Sequence, residues 1–335
     1  MILTVTLNPS LDRAVEIDHL ARGDVLRAAS ARLDPGGKGV NVSRALLANR
    51  VASRAVLPCG GDEGAQLVRL LAAEGVDLFA VPIAGRTRSN ITLAEPDGTV
   101  TKINEPGPGL TPAEFEAVTD QVLAAARQAD WVVVCGSIPP GLPVEAFGLL
   151  CERLVDAGAR LVVDTSGPPL QVAATAGAAL LKPNREELAE AVGRRMESLA
   201  DVVAAAEQLR SWGAAAVLAS LGADGAVLVD ATGVVSGDCP VARPRSSVGA
   251  GDALLAGFLA AGAAGPAALA EGLAWGAAAV RLPGSRMPGP ADLNRADVQV
   301  RDRTVEFRST ARDAPAQPRP AEEKRLVPQK PLANG

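Results

Sequence analysis

The sequence predicts an α/β chain: a three-layer α/β/α sandwich with a mostly parallel central sheet and a small β-sheet lid. Three observations lead to it. Short apolar runs of strand length alternate with longer amphipathic runs through most of the chain, as in βα units whose parallel strands are covered on both faces. That rhythm breaks at Ser89–Glu95 and Thr99–Asn104, which alternate apolar and polar residues around Pro96-Asp97-Gly98; this is a hairpin with one solvated face, outside the main layer. Of the 335 residues 48% are hydrophobic but only 2% aromatic, with no Tyr, so the core is Ala, Val and Leu in thin, close layers.

In chain order, residues 2–7 form a buried strand, broken by Asn8-Pro9-Ser10, and Leu11–Ile17 alternates as a half-exposed strand. Pro35-Gly36-Gly37-Lys38-Gly39 opens a helix from about Val40 to Asn49. Arg54–Pro58 and Val76–Pro82 are strands around an amphipathic helix, Asp62–Ala73. After the hairpin, Thr111 and Glu114 make a capping box for a helix to Gln128. Trp131–Cys135 and Arg160–Asp164 are strands flanking a helix at Pro143–Ala157, and Ala178–Leu181 is a further strand. Helices at about 185–192 and 198–212 precede a strand at Ala215–Ala219, and Gly225–Asp230 with Gly233–Ser236 is a second hairpin. A helix from Gly249 and another at 267–280 close the domain. A single domain spans 1–308, with lid segments at about 12–34 and 86–106. Residues 309–335, rich in Pro and charge without an apolar face, are expected to be a disordered tail.

Composition excludes several classes. A net charge of −5 with few aromatics disfavours nucleic acid as a partner. No run approaches the ~20 apolar residues of a membrane span, and no basic flank precedes the apolar N-terminus, so a cytoplasmic protein is expected. The four Cys, at 59, 135, 151 and 239, have no metal or redox spacing, and the single His, His19, follows Ile17-Asp18 in a surface segment. Any acid–base chemistry falls to carboxylates, Lys, Arg and backbone.

Ser247-Val248-Gly249-Ala250-Gly251-Asp252 is the most informative stretch. Small residues open a helix there, leaving amide donors bare at its positive end, a place for an anion. Asp252 in that first turn is either a helix cap or a general base. Parallel sheets bind ligands beyond the carboxyl ends of their strands, and Asn8, Gly136-Ser137, Asp164, Lys182-Pro183-Asn184 and Ser220-Leu221-Gly222 all fall there.

Taken in order, Asn8-Pro9-Ser10-Leu11-Asp12, Gly36-Gly37-Lys38-Gly39-Val40-Asn41-Val42, Gly136-Ser137-Ile138-Pro139-Pro140-Gly141, Lys182-Pro183-Asn184-Arg185-Glu186-Glu187-Leu188, Ser220–Gly225 and Val248–Asp252 resemble the ribokinase-like, PfkB-type carbohydrate kinases over residues 1–300. Within them the likeness is to the sugar-phosphate branch. The resemblance implies ATP-dependent transfer to a hydroxyl deprotonated by Asp252, with Gly249, Ala250 and Gly251 as anion hole. It implies Asp12, Gly37, Lys38, Asn41, Arg88 and Ser137 for the sugar phosphate, and Lys182, Asn184, Glu187, Ser220, Gly222, Gly225 and Gly251 for the nucleotide. Asn184 and Glu187 would organise magnesium through water, and potassium is a further candidate cofactor. Lys38 within Gly-Lys-Gly, a mobile charge for the sugar phosphate, matches the 1-phosphofructokinase and tagatose-6-phosphate kinase lines. The expected reaction is fructose 1-phosphate to fructose 1,6-bisphosphate, in a homodimer joined through the lid. Tagatose 6-phosphate or fructose 6-phosphate is the alternative acceptor, and a sugar-phosphate-binding regulator on the same fold is the non-enzyme alternative. Pro283-Gly284-Ser285 departs from the polar residue that relatives often carry near the adenine.

Overall fold

The computed structural model describes residues 1–308; the expected tail lies outside the described residues. Fourteen strands and ten α-helices are assigned among them. The main sheet has ten strands: β1 (Ile2–Val5), β4 (Ser53–Cys59), β5 (Leu78–Pro82), β8 (Trp131–Cys135), β9 (Leu161–Asp164), β10 (Leu180–Leu181), β11 (Val217–Ser220), β12 (Ala226–Asp230), β13 (Gly233–Asp238) and β14 (Gln299–Asp302). Their order is β14-β13-β12-β11-β10-β9-β8-β1-β4-β5. From β11 to β5 all neighbours are parallel, and β12, β13 and β14 continue antiparallel.

Helices cover both faces. On one lie α3 (Pro112–Ala126), α4 (Val144–Asp156), α5 (Pro168–Thr175), α6 (Arg185–Val192) and α7 (Leu199–Trp212); on the other, α1 (Lys38–Ala48), α8 (Ala250–Ala260) and α9 (Gly265–Arg281). Strand β8 shows the division: Val132 and Val134 join the first core, Val133 and Cys135 the second, as a period of two requires. α2 (Gly61–Glu74) packs Leu67 and Leu71 near the β4–β5 edge. α8 and α9 meet closely because glycines sit at the crossing: a Cβ on Gly257 would stand 2.7 Å from Trp275 Cγ, and one on Gly272 2.8 Å from the Leu254 carbonyl. Small residues replacing aromatics give the thin layers that the composition demands.

The lid is a separate four-stranded sheet, β3-β2-β6-β7, built from β2 (Ser10–Glu16), β3 (Ser30–Gly36), β6 (Arg88–Ala94) and β7 (Val100–Asn104). The expected hairpin accounts for only one of its three pairings. β2 and β6 run parallel, Ser10 beside Arg88 through Glu16 beside Ala94, since both leave the same carboxyl edge of the main sheet, after β1 and β5. Only β3 against β2 and β7 against β6 are antiparallel.

Four further elements differ from expectation. β3 has no apolar alternation; its residues pass from exposed at Ser30 to buried at Gly36. α5 begins at Pro168-Pro169, which reads as a breaker but is allowed in a first turn, where no amide partner is lost. β14 and α10 (Thr304–Arg308) follow α9, so α9 does not close the domain; four and five residues are too short to show a period.

Candidate active site

The parallel strands deliver the polar motifs to one edge. A cavity of about 1160 Å³ there is lined by every residue to which the resemblance gives a role: Asp12, Gly37, Lys38, Asn41, Arg88, Ser137, Lys182, Asn184, Glu187, Ser220, Gly222, Gly225, Gly249, Ala250, Gly251 and Asp252. The lid forms one wall and the start of α8 the floor.

Gly249, with φ 74°, occupies the helix-cap position of α8, a left-handed backbone that a larger residue adopts at a cost. Asp252 is the third helical residue, and no side chain caps this helix; the cap alternative for Asp252 is therefore set aside. The helix-closing bond runs from Ala253 N–H to Gly249 O at 2.8 Å, leaving the amides of Gly251 and Asp252 without a backbone acceptor. Asp252 is 7% exposed and accepts a hydrogen bond from Asn41 Nδ2 at 2.9 Å. Burial, helped by the charge of Asp164, pushes its carboxyl up to about 6; Asn41, Lys182 and Lys38 oppose this.

Beside it lies a buried ion network. Asp164, at the end of β9 and fully buried, takes Lys38 Nζ on one oxygen at 2.7 Å and Lys182 Nζ on the other at 2.9 Å. Lys38 also reaches Glu187 at 3.0 Å. Burial alone would raise Asp164, but the two ammonium groups hold it below its ordinary value. Burial likewise disfavours the Lys38 cation, yet Asp164 and Glu187 hold its pKa above the usual lysine range. The ammonium of Lys38 is thus engaged between two carboxylates in this structure, not mobile. Lys182 lies against the anion hole, its Nζ 3.4 Å from where a Cβ on Gly251 would stand. Asn184 and Glu187 form a capping box for α6: Asn184 Oδ1 accepts from Glu187 N–H and Glu187 Oε2 from Asn184 N–H, each at 2.8 Å.

At the lid end, Asp12 accepts from Ser10 Oγ at 2.7 Å and Asn90 Nδ2 at 2.9 Å, and burial raises its pKa. Arg88 donates to Glu105 O at 3.1 Å and Asn8 O at 3.0 Å. Ser137 follows β8. Val241, Leu273, Ala277 and Val280 give the cavity an apolar slot as well.

The sequence noted Asp164 at the sheet edge without a role, and did not find Asn90, Lys102 or the apolar slot. Asp164 gives no local signal because its partners are 126 and 18 residues away. The slot residues are ordinary small apolar residues of α9 and the loop before α8. Among the described residues no cluster of three or more His, Cys, Asp or Glu could hold a metal by itself, and no helix is long and apolar enough to cross a membrane.

A helix start with bare amides, a buried carboxylate in its first turn and a lidded polar cavity at a parallel sheet edge are the features of a phosphotransferase of ribokinase-like fold. Residues 5–291 match the pfkB family of carbohydrate kinases, and the chain belongs to that family, as an ATP-dependent kinase of a hexose phosphate. It is 38% identical over 260 residues to the 1-phosphofructokinase of Rhodobacter capsulatus, covering 76% of this chain and 82% of that one. It is 36% identical over 257 residues to the ATP-dependent 6-phosphofructokinase isozyme 2 of Escherichia coli, covering 76% and 83%. The crystal structure of Escherichia coli phosphofructokinase-2 in complex with potassium superimposes with a TM-score of 0.82 at 34% identity, covering 87% of this chain and 96% of that one.

Proposed function

We propose that the chain phosphorylates fructose 1-phosphate to fructose 1,6-bisphosphate. The observation that carries the chemistry is Asp252: a buried carboxylate with its pKa raised to about 6, set among the unpaired amides of α8. At neutral pH it is ionised and still basic enough to take the proton of the acceptor hydroxyl as the oxygen attacks the γ-phosphorus in line. The Gly249–Gly251 turn, with the Gly251 amide free of a backbone acceptor, and the ammonium of Lys182 face the charge that gathers on the transferred group. Asp12, Asn41 and Gly37 hold the sugar, and Arg88 with Ser137 its own phosphate. Ser220, Gly222 and Gly225 border the nucleotide, whose base fits the apolar slot.

Glu187, one carboxylate beside the phosphate path, suits magnesium, which keeps most of its waters and binds through one or two carboxylates plus phosphate oxygens. Asn184 and Glu187 would hold it through water, and it would neutralise phosphate charge. Potassium is a further candidate, supported by the Escherichia coli phosphofructokinase-2 complex.

The choice of acceptor rests on the likeness of Gly36-Gly37-Lys38-Gly39 to the 1-phosphofructokinase line, not on a contact of Lys38 with the sugar phosphate. A coupled ADP-release assay with fructose 1-phosphate, tagatose 6-phosphate, fructose 6-phosphate and unphosphorylated fructose tests it: the highest kcat/KM is expected for fructose 1-phosphate. A preference for fructose 6-phosphate would move the chain to the other group of relatives, and no turnover with any of them would favour a regulator.

Lys38→Ala is expected to raise KM for ATP and the sugar phosphate alike, because its ammonium holds Asp164 and Glu187 rather than either substrate. An effect on the sugar phosphate alone would show that Lys38 leaves its carboxylates when that substrate binds.

The outer face of the lid carries Val15, Ile91, Leu93 and Ile103, with Ile103 54% exposed. Pairing of two lids would cover it, so a homodimer is expected; sedimentation showing a monomer at micromolar concentration would rule this out.

A further inference from the structure

We propose that Asn8 is a positioning residue for the phosphate that the acceptor already carries, through Ser137 and Arg88; this rests on the sugar-phosphate reading above. Asn8 stands just past β1 and is 4% exposed. It joins three separated segments. Its backbone carbonyl accepts from Arg88 Nη2 at 3.0 Å, at the start of β6. Its side-chain amide donates to Pro106 O at 3.0 Å, in the loop after β7, and to Ser137 Oγ at 3.2 Å, after β8.

The Pro106 carbonyl can only accept, so the amide nitrogen must be on that side, and both its protons are used. Ser137 Oγ therefore receives a proton from Asn8. Its own proton has no acceptor among the described residues and is free to turn into the cavity. Arg88 spends one proton of Nη1 on Glu105 O and one of Nη2 on Asn8 O, which leaves the second proton of each Nη unspent, beside an Nε–H that is buried with no partner. The Ser137 hydroxyl proton and the unspent Nη protons of a permanent cation thus belong to two residues that line the same cavity, the arrangement that an oxyanion such as a phosphate completes. Gly107 keeps the cluster closed: at φ +89°, a Cβ there would stand 2.2 Å from Asn8 Oδ1 and 3.2 Å from Arg88 Cδ.

Asn8 touches no reacting atom, so its removal should alter binding of the phosphorylated acceptor and little else. Asn8→Ala frees the Ser137 hydroxyl to rotate toward the Pro106 carbonyl. The expected result is a rise of about tenfold in KM for fructose 1-phosphate, the scale of one charge-assisted hydrogen bond, with kcat and the KM for ATP within about twofold. Ser137→Ala should give a similar rise, and the double variant should be no worse than the stronger single one, since the two residues act as one unit. Asn8→Ser, smaller but polar, replaces Asn8→Ala if that variant does not fold. Unchanged acceptor KM, full additivity with Ser137→Ala, or parallel loss of kcat and both KM values would overturn the proposal. Absence of turnover by the unaltered chain with any phosphorylated ketohexose would instead overturn the underlying reading.

Discussion

Asp252→Asn is expected to lower kcat by about 10²–10⁴, the worth of a positioned general base, while ATP and sugar phosphate still bind. Asn keeps the size, and its amide can turn its oxygen toward Asn41 Nδ2, which now bonds Asp252 Oδ2 at 2.9 Å. Binding of the two phosphorylated substrates should be unimpaired, because one negative charge near them is gone. The pH behaviour has a definite sign. With a carboxyl near 6 in the folded chain against an ordinary value of 3.8, the unaltered chain should lose kcat/KM as pH falls through about 6, and the residual activity of the variant should lack that limb. Because the folded-state pKa is the higher one, ionised Asp252 opposes folding: the cost is absent below the unfolded value, grows between the two and is complete above the folded one. The variant should therefore melt at or above the temperature of the unaltered chain at pH 7–8, with the gap closing toward pH 4. Retention of more than roughly a tenth of kcat would remove Asp252 from the role of base. A large fall in Tm would make it a structural residue, although Gly249, not Asp252, holds the cap position.

Asp164→Asn is expected to cost about 3–5 kcal/mol of stability, as when one partner of a buried ion pair is removed. Two ammonium groups share this carboxylate. Lys38 retains Glu187, but Lys182, 3% exposed, has no other carboxylate within ion-pair distance among the described residues. Here the pKa is depressed, so Asp164 contributes stability above its unfolded value and loses it as pH falls through the folded one. Urea unfolding at pH 7 measures the effect. Lys182→Met in the Asp164→Asn background should restore part of the loss, as it removes the stranded charge. A loss under about 1 kcal/mol would place the pair in the range of solvent-screened surface bridges instead. Activity should fall as well, because Lys182 lies against Gly251 at the anion hole.

Features written in local chemistry were legible in the sequence. Thr111 and Glu114 announce α3, Asn184 with Glu187 opens α6, and the apolar run Trp131–Cys135 is β8 to the residue. The glycine-rich starts of α1 and α8 marked where an anion could sit. What stayed hidden depends on topology. Lys38 finds Asp164 only because β9 lies two places from β1, with β8 between them. Nothing in the spacing of 126 residues says so. The lid was half visible: β6 and β7 alternate, but β3 is held by pairing with β2 along Ser30–Gly36, and its own residues lack a buried face. The parallel join of β2 to β6 likewise follows from where β1 and β5 end in the main sheet.

The position of β1 has a consequence for how the chain acquires its structure. Ile2–Val5 precedes the other described strands in the chain, yet it lies inside the sheet between β4 and β8, with its four residues no more than 5% exposed. Its second neighbour, Trp131–Cys135, comes 129 residues later. At ~5–20 residues per second of synthesis, an apolar ribbon waits several seconds or more with one edge open, during which it can pair wrongly or with another nascent chain. Non-local parallel pairing of this kind also makes refolding slow. Dilution from denaturant should therefore give yields that fall steeply with protein concentration, and charged substitutions in the solvent-facing lid should not relieve that loss, since the exposed edge belongs to the central sheet.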